Sequence, residues 1–179
     1  KSVVGINPVV VRLLPFTDVE QRKLFAHELP SEHFDEFTKQ VRRFDLGMLL
    51  GNPEFLKLFA AAYIESERVF SSRRAIFEDA IKHLAHEANP AIPQKGAPTR
   101  NKRIEWAGEI FTKILLSGAV GVSVAGQLKA GNFPNLWDLG IEEDGLSSLL
   151  DTKLFKPAND TGQHEPVHRI VAEYCSASY

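Results

Sequence analysis

Twelve residues near the middle of the chain constrain the fold most. Residues 89–100 read Asn-Pro-Ala-Ile-Pro-Gln-Lys-Gly-Ala-Pro-Thr-Arg. Pro90, Pro93 and Pro98 each remove a backbone donor and fix φ, and Gly96 adds backbone freedom, so neither a helix nor a central strand runs through. The helical patterns on either side belong to two subdomains. The expected division is an N-terminal extended segment over 1–16, a helical subdomain over 17–90, a linker over 91–100 and a second domain over 101–179.

Upstream of the break the pattern is helical. Thr17 followed by Glu20 is a capping box, and Val19, Leu24, Phe25 and Leu29 place an amphipathic helix over 18–29. Ser31 is positioned to cap the next helix, with Phe34, Phe37, Val41 and Phe44 at helical spacing. Gly51-Asn52-Pro53 stops one element and starts another. Asn52 suits the cap, and Pro53 suits the first helical position, where its missing N–H has no partner to lose. The helix over 53–64 carries apolar residues on more than one face (Phe55, Leu56, Leu58, Phe59, Ala62, Tyr63), which predicts burial on more than one side. Ser71 and Ser72 open a helix over 73–88 whose first turn holds two cations, Arg73 and Arg74, where the helix dipole disfavours them. The β-branched run Val9-Val10-Val11 with Leu13, Leu14 and Pro15 predicts one strand with no partner in the chain, and the chain opens at Lys1 and closes at Tyr179 within a helical pattern. A piece cut from a longer protein is the expectation.

Downstream, a helix is expected over 102–117, a brief one from Ser123 to Lys129 capped by Ser123, a loop over 133–140 with Trp137 anchored, and a short acidic-started helix over 141–150. Two short strands flank the turn at residues 158–162. Last comes a helix opened by Pro166, with Val167, Ile170, Val171 and Tyr174 on one face and His168 in its first turn. The expected fold class is mainly α: a small helical bundle followed by a winged-helix-like domain with a short β-hairpin.

Several chemistries are excluded or disfavoured. A net charge of -2 argues against a generally polybasic, nucleic-acid-coating protein. Arg100, Lys102 and Arg103 form one basic cluster, but the helix before the hairpin begins with Glu142, Glu143 and Asp144, which repel a phosphate backbone. No apolar run reaches the ~20 residues that span a bilayer. The single Cys175, read as a small buried thiol, rules out an intrachain disulfide framework and fits a reducing, cytoplasmic compartment. His83 and His86 stand one helical turn apart, in neither zinc-protease order; with His27 and His33 they read as surface residues, so no metal is expected. Gly121-Val122-Ser123-Val124-Ala125 lacks the closing glycine of a nucleophile elbow. No Gly-rich phosphate loop is present, and no catalysis is expected of the chain itself.

Leu13-Leu14-Pro15-Phe16, then Gly51-Asn52-Pro53 with Phe55 to Phe59, then the run from Val167 to Tyr174, resemble in order and spacing the C-terminal half of the STAND-class P-loop NTPases, nearest the NACHT branch. The chain differs from that pattern at Pro166, where an aromatic residue is usual. The resemblance implies a helical lid and winged-helix region whose P-loop core lies elsewhere in a parent ATPase. It implies that Pro53 packs on the adenine and that His168 reaches the β-phosphate of ADP, with Asn52 and Arg169 as neighbouring candidates. ATP or ADP would be held by the intact parent only. The partners implied are the parent's own core and further copies in an oligomer. Two alternatives stay open: a winged-helix DNA-binding regulator and a helical protein–protein interaction module.

Overall fold

The computed structural model describes residues 14–86, 98–124, 132–140 and 146–179. The fold is mainly helical with a short β-hairpin, as expected, and among the described residues a third strand joins the hairpin to make a small antiparallel sheet. The expected strand in residues 1–13, most of the proline-rich break and the acidic start at 142–144 lie outside the described residues. Backbone packing divides the chain into two compact units, 1–60 and 61–179, a division that falls within a helix and not at the proline-rich break.

In the first unit, α1 (Asp18–Phe25) opens on the complete capping box: Glu20 Oε2 accepts the Thr17 amide at 2.8 Å while Thr17 Oγ1 accepts the Glu20 amide. The helix stops at Phe25, short of the expected 29, and the turn that follows closes with Leu29 N–H donating to Phe25 O. Ser31 is not a side-chain cap. It begins a 3-10 turn, Ser31–His33, that runs directly into α2 (Phe34–Arg43). Phe25, Phe34 and Phe37 form the aromatic centre of this unit, with ring centroids 4.8 Å apart for Phe25 and Phe37. A second 3-10 turn, Gly47–Gly51, leads to α3 (Pro53–Glu65), where Asn52 Oδ1 accepts the Glu54 amide at 2.9 Å. Gly51 lies so close to Pro15 that an added Cβ would stand 2.9 Å from the proline Cβ. In α3, Phe55, Leu56, Leu58, Phe59 and Ala60 to Tyr63 are all buried, as its many apolar positions predict.

In the second unit, α4 (Arg73–Leu84) starts at Ser72, whose Oγ accepts the Ala75 amide, and α5 (Arg100–Ser117) starts at Thr99 and ends at Gly118 in the left-handed conformation. A glycine there avoids the Cβ strain of positive φ. Strand β1 (Val122–Ser123), α6 (Leu146–Leu150), β2 (Phe155–Pro157), β3 (Gln163–Pro166) and α7 (Arg169–Ser178) follow. The sheet order is β1-β3-β2, with Val122 opposite His164 and Lys156 opposite Glu165. Helix α7 packs along α5, and at Gly108 it comes so near that an added Cβ would lie 2.9 Å from Cys175 O. Ile110, Phe111 and Ile114 of α5, Phe155 of β2 and Val171, Ala172 and Cys175 of α7 are buried in this unit.

Further local expectations change in the second unit. Ser123 is a strand residue and not a helix cap: its N–H donates to Pro134 O and its hydroxyl to Phe133 O, so its backbone is already used in pairing. Trp137 is half exposed, and the residue that anchors its loop is Leu136, fully buried one position earlier. Pro166 ends β3 and does not open the last helix. It pairs with Phe155, and Val167 N–H donates to Leu154 O, so the chain stays extended through His168 and the helix begins at Arg169. The buried residues of α7 are therefore Val171, Ala172 and Cys175; of the stripe that the spacing selects, Val171 is buried and Ile170 and Tyr174 are only partly so.

Candidate functional site

The sequence-derived site residues fall in both units. Asn52 and Pro53 belong to the first, where Asn52 caps α3 through Oδ1 and Pro53 takes the first helical position, half-buried. His168 and Arg169 belong to the second, at the start of α7.

His168 is the N-cap of α7. Its backbone is extended (φ -155°, ψ 145°), and its Nδ1 accepts the Ile170 amide N–H at 3.2 Å. That bond fixes the ring chemistry: with Nδ1 as acceptor, a neutral imidazole carries its proton on Nε2, which is then the donor nitrogen. Arg169 is exposed, and its Nε donates to Glu173 Oε1 at 2.7 Å. A cation in the first turn opposes the helix dipole, and the i,i+4 carboxylate offsets part of that cost.

Both residues border a cleft of about 520 Å³. Its floor is the end of α5 and the turn after it (Ile114, Leu115, Gly118, Ala119, Val120), and its rim is the β2–β3 hairpin with Lys156 and Glu165. Lys156 Nζ and Glu165 Oε1 stand 3.3 Å apart across the two strands, so this cation is already matched. The cleft is thus bordered by apolar residues of α5 and the turn after it, by the His168 imidazole and by two cations that are already paired. It carries no nucleophile–base pair of the kind acyl transfer needs.

The other titratable groups go elsewhere. His86 Nε2 meets Arg100 Nη2, and Lys102 Nζ meets Glu105 at 2.9 Å. Arg103 is buried, with Nη1 donating to Ala85 O. The basic cluster read from the sequence is therefore engaged within the unit. Burial pushes the Cys175 thiol up to about 12, which leaves it protonated and unreactive. Among the described residues, no group of three or more His, Cys, Asp or Glu side chains is placed to hold a metal ion, and no helix is long and apolar enough to cross a membrane.

One feature of the sheet escaped the sequence reading. His164 lies on the central strand, opposite both Val122 and Pro157, and its Nδ1 is buried with no hydrogen-bond partner. Burial holds this imidazole below its ordinary pKa, with Asp151 pulling weakly the other way. Alternation in a four-residue strand is too short to announce it. No protein-family model, curated protein or solved structure matches the chain.

Proposed function

We propose that this chain is the regulatory lid and winged-helix region of a nucleotide-switched signalling ATPase, with the P-loop core on another part of the parent protein and no catalysis of its own. The observation that carries the reading is His168: an N-cap imidazole that borders the cleft of α5, the hairpin and α7 and whose Nδ1 accepts the Ile170 amide. A directional N–H beside a helix start suits a phosphate oxygen. The resemblance gives Pro53, at the first position of α3 behind the Asn52 cap, the matching role at the adenine. In this reading ADP latches the winged-helix region to the core, and exchange for ATP releases it for assembly into an oligomer in the cytoplasm.

The DNA-binding alternative draws less support, because Arg100, Lys102 and Arg103 are all engaged inside the second unit. The test is the release rate of a fluorescent ADP analogue from the full-length parent. His168→Asn keeps a side-chain acceptor for the Ile170 amide but removes the imidazole donor, so faster release with unchanged stability is expected. An unchanged release rate overturns the role of His168. Titration of the isolated chain with ADP should give no measurable heat, and tight binding would overturn the division of labour.

A further inference from the structure

Two residues of the stripe that the sequence spacing selects on α7, Ile170 and Tyr174, stay partly exposed while Val171 enters the core. Ile170, Tyr174 and Ala177, at i, i+4 and i+7, form a second apolar line, beside Phe77 of α4. Tyr174 stacks on Phe77, with centroids 5.2 Å apart and planes at 19°, and its hydroxyl donates to Arg74 O. Between the two helices lies a groove of about 790 Å³, lined by these residues together with Arg73, Arg74, Glu173 and Ser178.

The charges of the groove do not balance. Glu173 is held by Arg169 at 2.7 Å, and Arg74 is held by Glu78 at 2.6 Å. Arg73 is exposed and has no ion pair among the described residues, and the first turn of α4 contains no acidic residue. The unmatched charge is one cation in a helix first turn, where the dipole already disfavours it. A ligand carboxylate placed there satisfies both.

We propose that the α4–α7 groove docks an amphipathic helix of a partner protein, with apolar anchors at i, i+3 or i+4 and i+7 lying along Ile170, Phe77, Tyr174 and Ala177, and an acidic residue at one end meeting Arg73. The mode is helix-in-groove recognition, in which a line of apolar anchors supplies affinity and the end charge fixes direction. The anchors need about 11 Å of groove, the rise of seven helical residues. This inference is independent of the nucleotide reading, since none of its residues borders the His168 cleft except through α7 itself.

The test uses the full 179-residue chain as bait for a phage-displayed library of helical peptides about 12 residues long. Enriched peptides should carry the apolar spacing with Asp or Glu at one end. In fluorescence anisotropy, Arg73→Glu should weaken the acidic peptides about fivefold or more and strengthen their Lys-substituted counterparts, the swap expected of a direct charge contact. Arg73 is exposed at the first helical position, where Glu is favoured, so the variant folds; its thermal midpoint verifies that. No enrichment over the Arg73→Glu chain, enrichment of basic peptides, or binding indifferent to the charge swap each overturns the proposal.

Discussion

His168 Nδ1 accepts the amide of Ile170 at 3.2 Å, so the imidazole proposed to face a phosphate also fastens the first turn of α7. The two duties separate by substitution. His168→Ala removes the cap and should cost about 0.5–2 kcal/mol in urea unfolding, the range for deleting a side-chain cap. His168→Asn, whose short side chain is a preferred cap, should unfold at the wild-type midpoint or above it. Equal losses for the two variants would show that the imidazole contributes packing and not capping.

Helix α7 can reach α5 only because residue 108 has no side chain. In Gly108→Ala the new methyl would meet Cys175 O and Tyr179 Cβ, each at 2.9 Å. Alanine favours an isolated helix over glycine by roughly 0.5–1 kcal/mol, whereas overpacking a tight contact costs about 1–3 kcal/mol. The contact is to backbone, which cannot rotate away, so overpacking wins. A lower melting temperature is expected, and a rise would mean that α7 slides freely on α5.

How much of this was legible in the sequence depends on how local the cause is. The Thr17–Glu20 box, the Asn52-Pro53 start and the Ser72 cap need only three or four residues, and all are present as read. Trp137 and Ser123 misled because their fate is decided by pairing with distant segments: Ser123 O accepts the Leu136 amide and Val124 N–H reaches Gly162 O, links that no local periodicity encodes. Pro166 misled for a related reason. Proline serves equally at the first turn of a helix and at the end of an edge pairing, and the β2–β3 register, set by the hairpin, chose the second. The identity of His168 and Arg169 as neighbours of a cleft followed once the helix start was fixed; the groove beside Phe77 did not, since it needs the placement of α4 against α7.

Cys175 offers a check on the packing of α7. Its thiol is buried and held at about 12 by desolvation, so the thiolate is scarce at neutral pH. Ellman's reagent should fail to label the native chain and should label one thiol per chain in denaturant. Prompt labelling of the native chain would mean that α7 lifts off α5 on the timescale of the reaction.

The pH dependence of stability should carry the signature of His164. Its Nδ1 is buried without a partner on the central strand, and burial holds its pKa below the ordinary 6.5. Protonation would place a second N–H on that buried atom, where no acceptor stands. The unfolded chain therefore takes up its proton near 6.5, and the folded chain only at lower pH. Between those values the unfolded state binds more protons, so stability is full above 6.5 and falls as the pH drops through that window, flattening below the folded value. Asp151, which favours the charged form, narrows the window without reversing it. Urea midpoints measured from pH 8 to pH 5 should decline below 6.5 in the wild-type chain. The decline should shrink in His164→Gln, a substitution that removes the titration and leaves the other five histidines as they were. An identical pH profile in the two chains would assign the acid sensitivity to another group and remove His164 from the account.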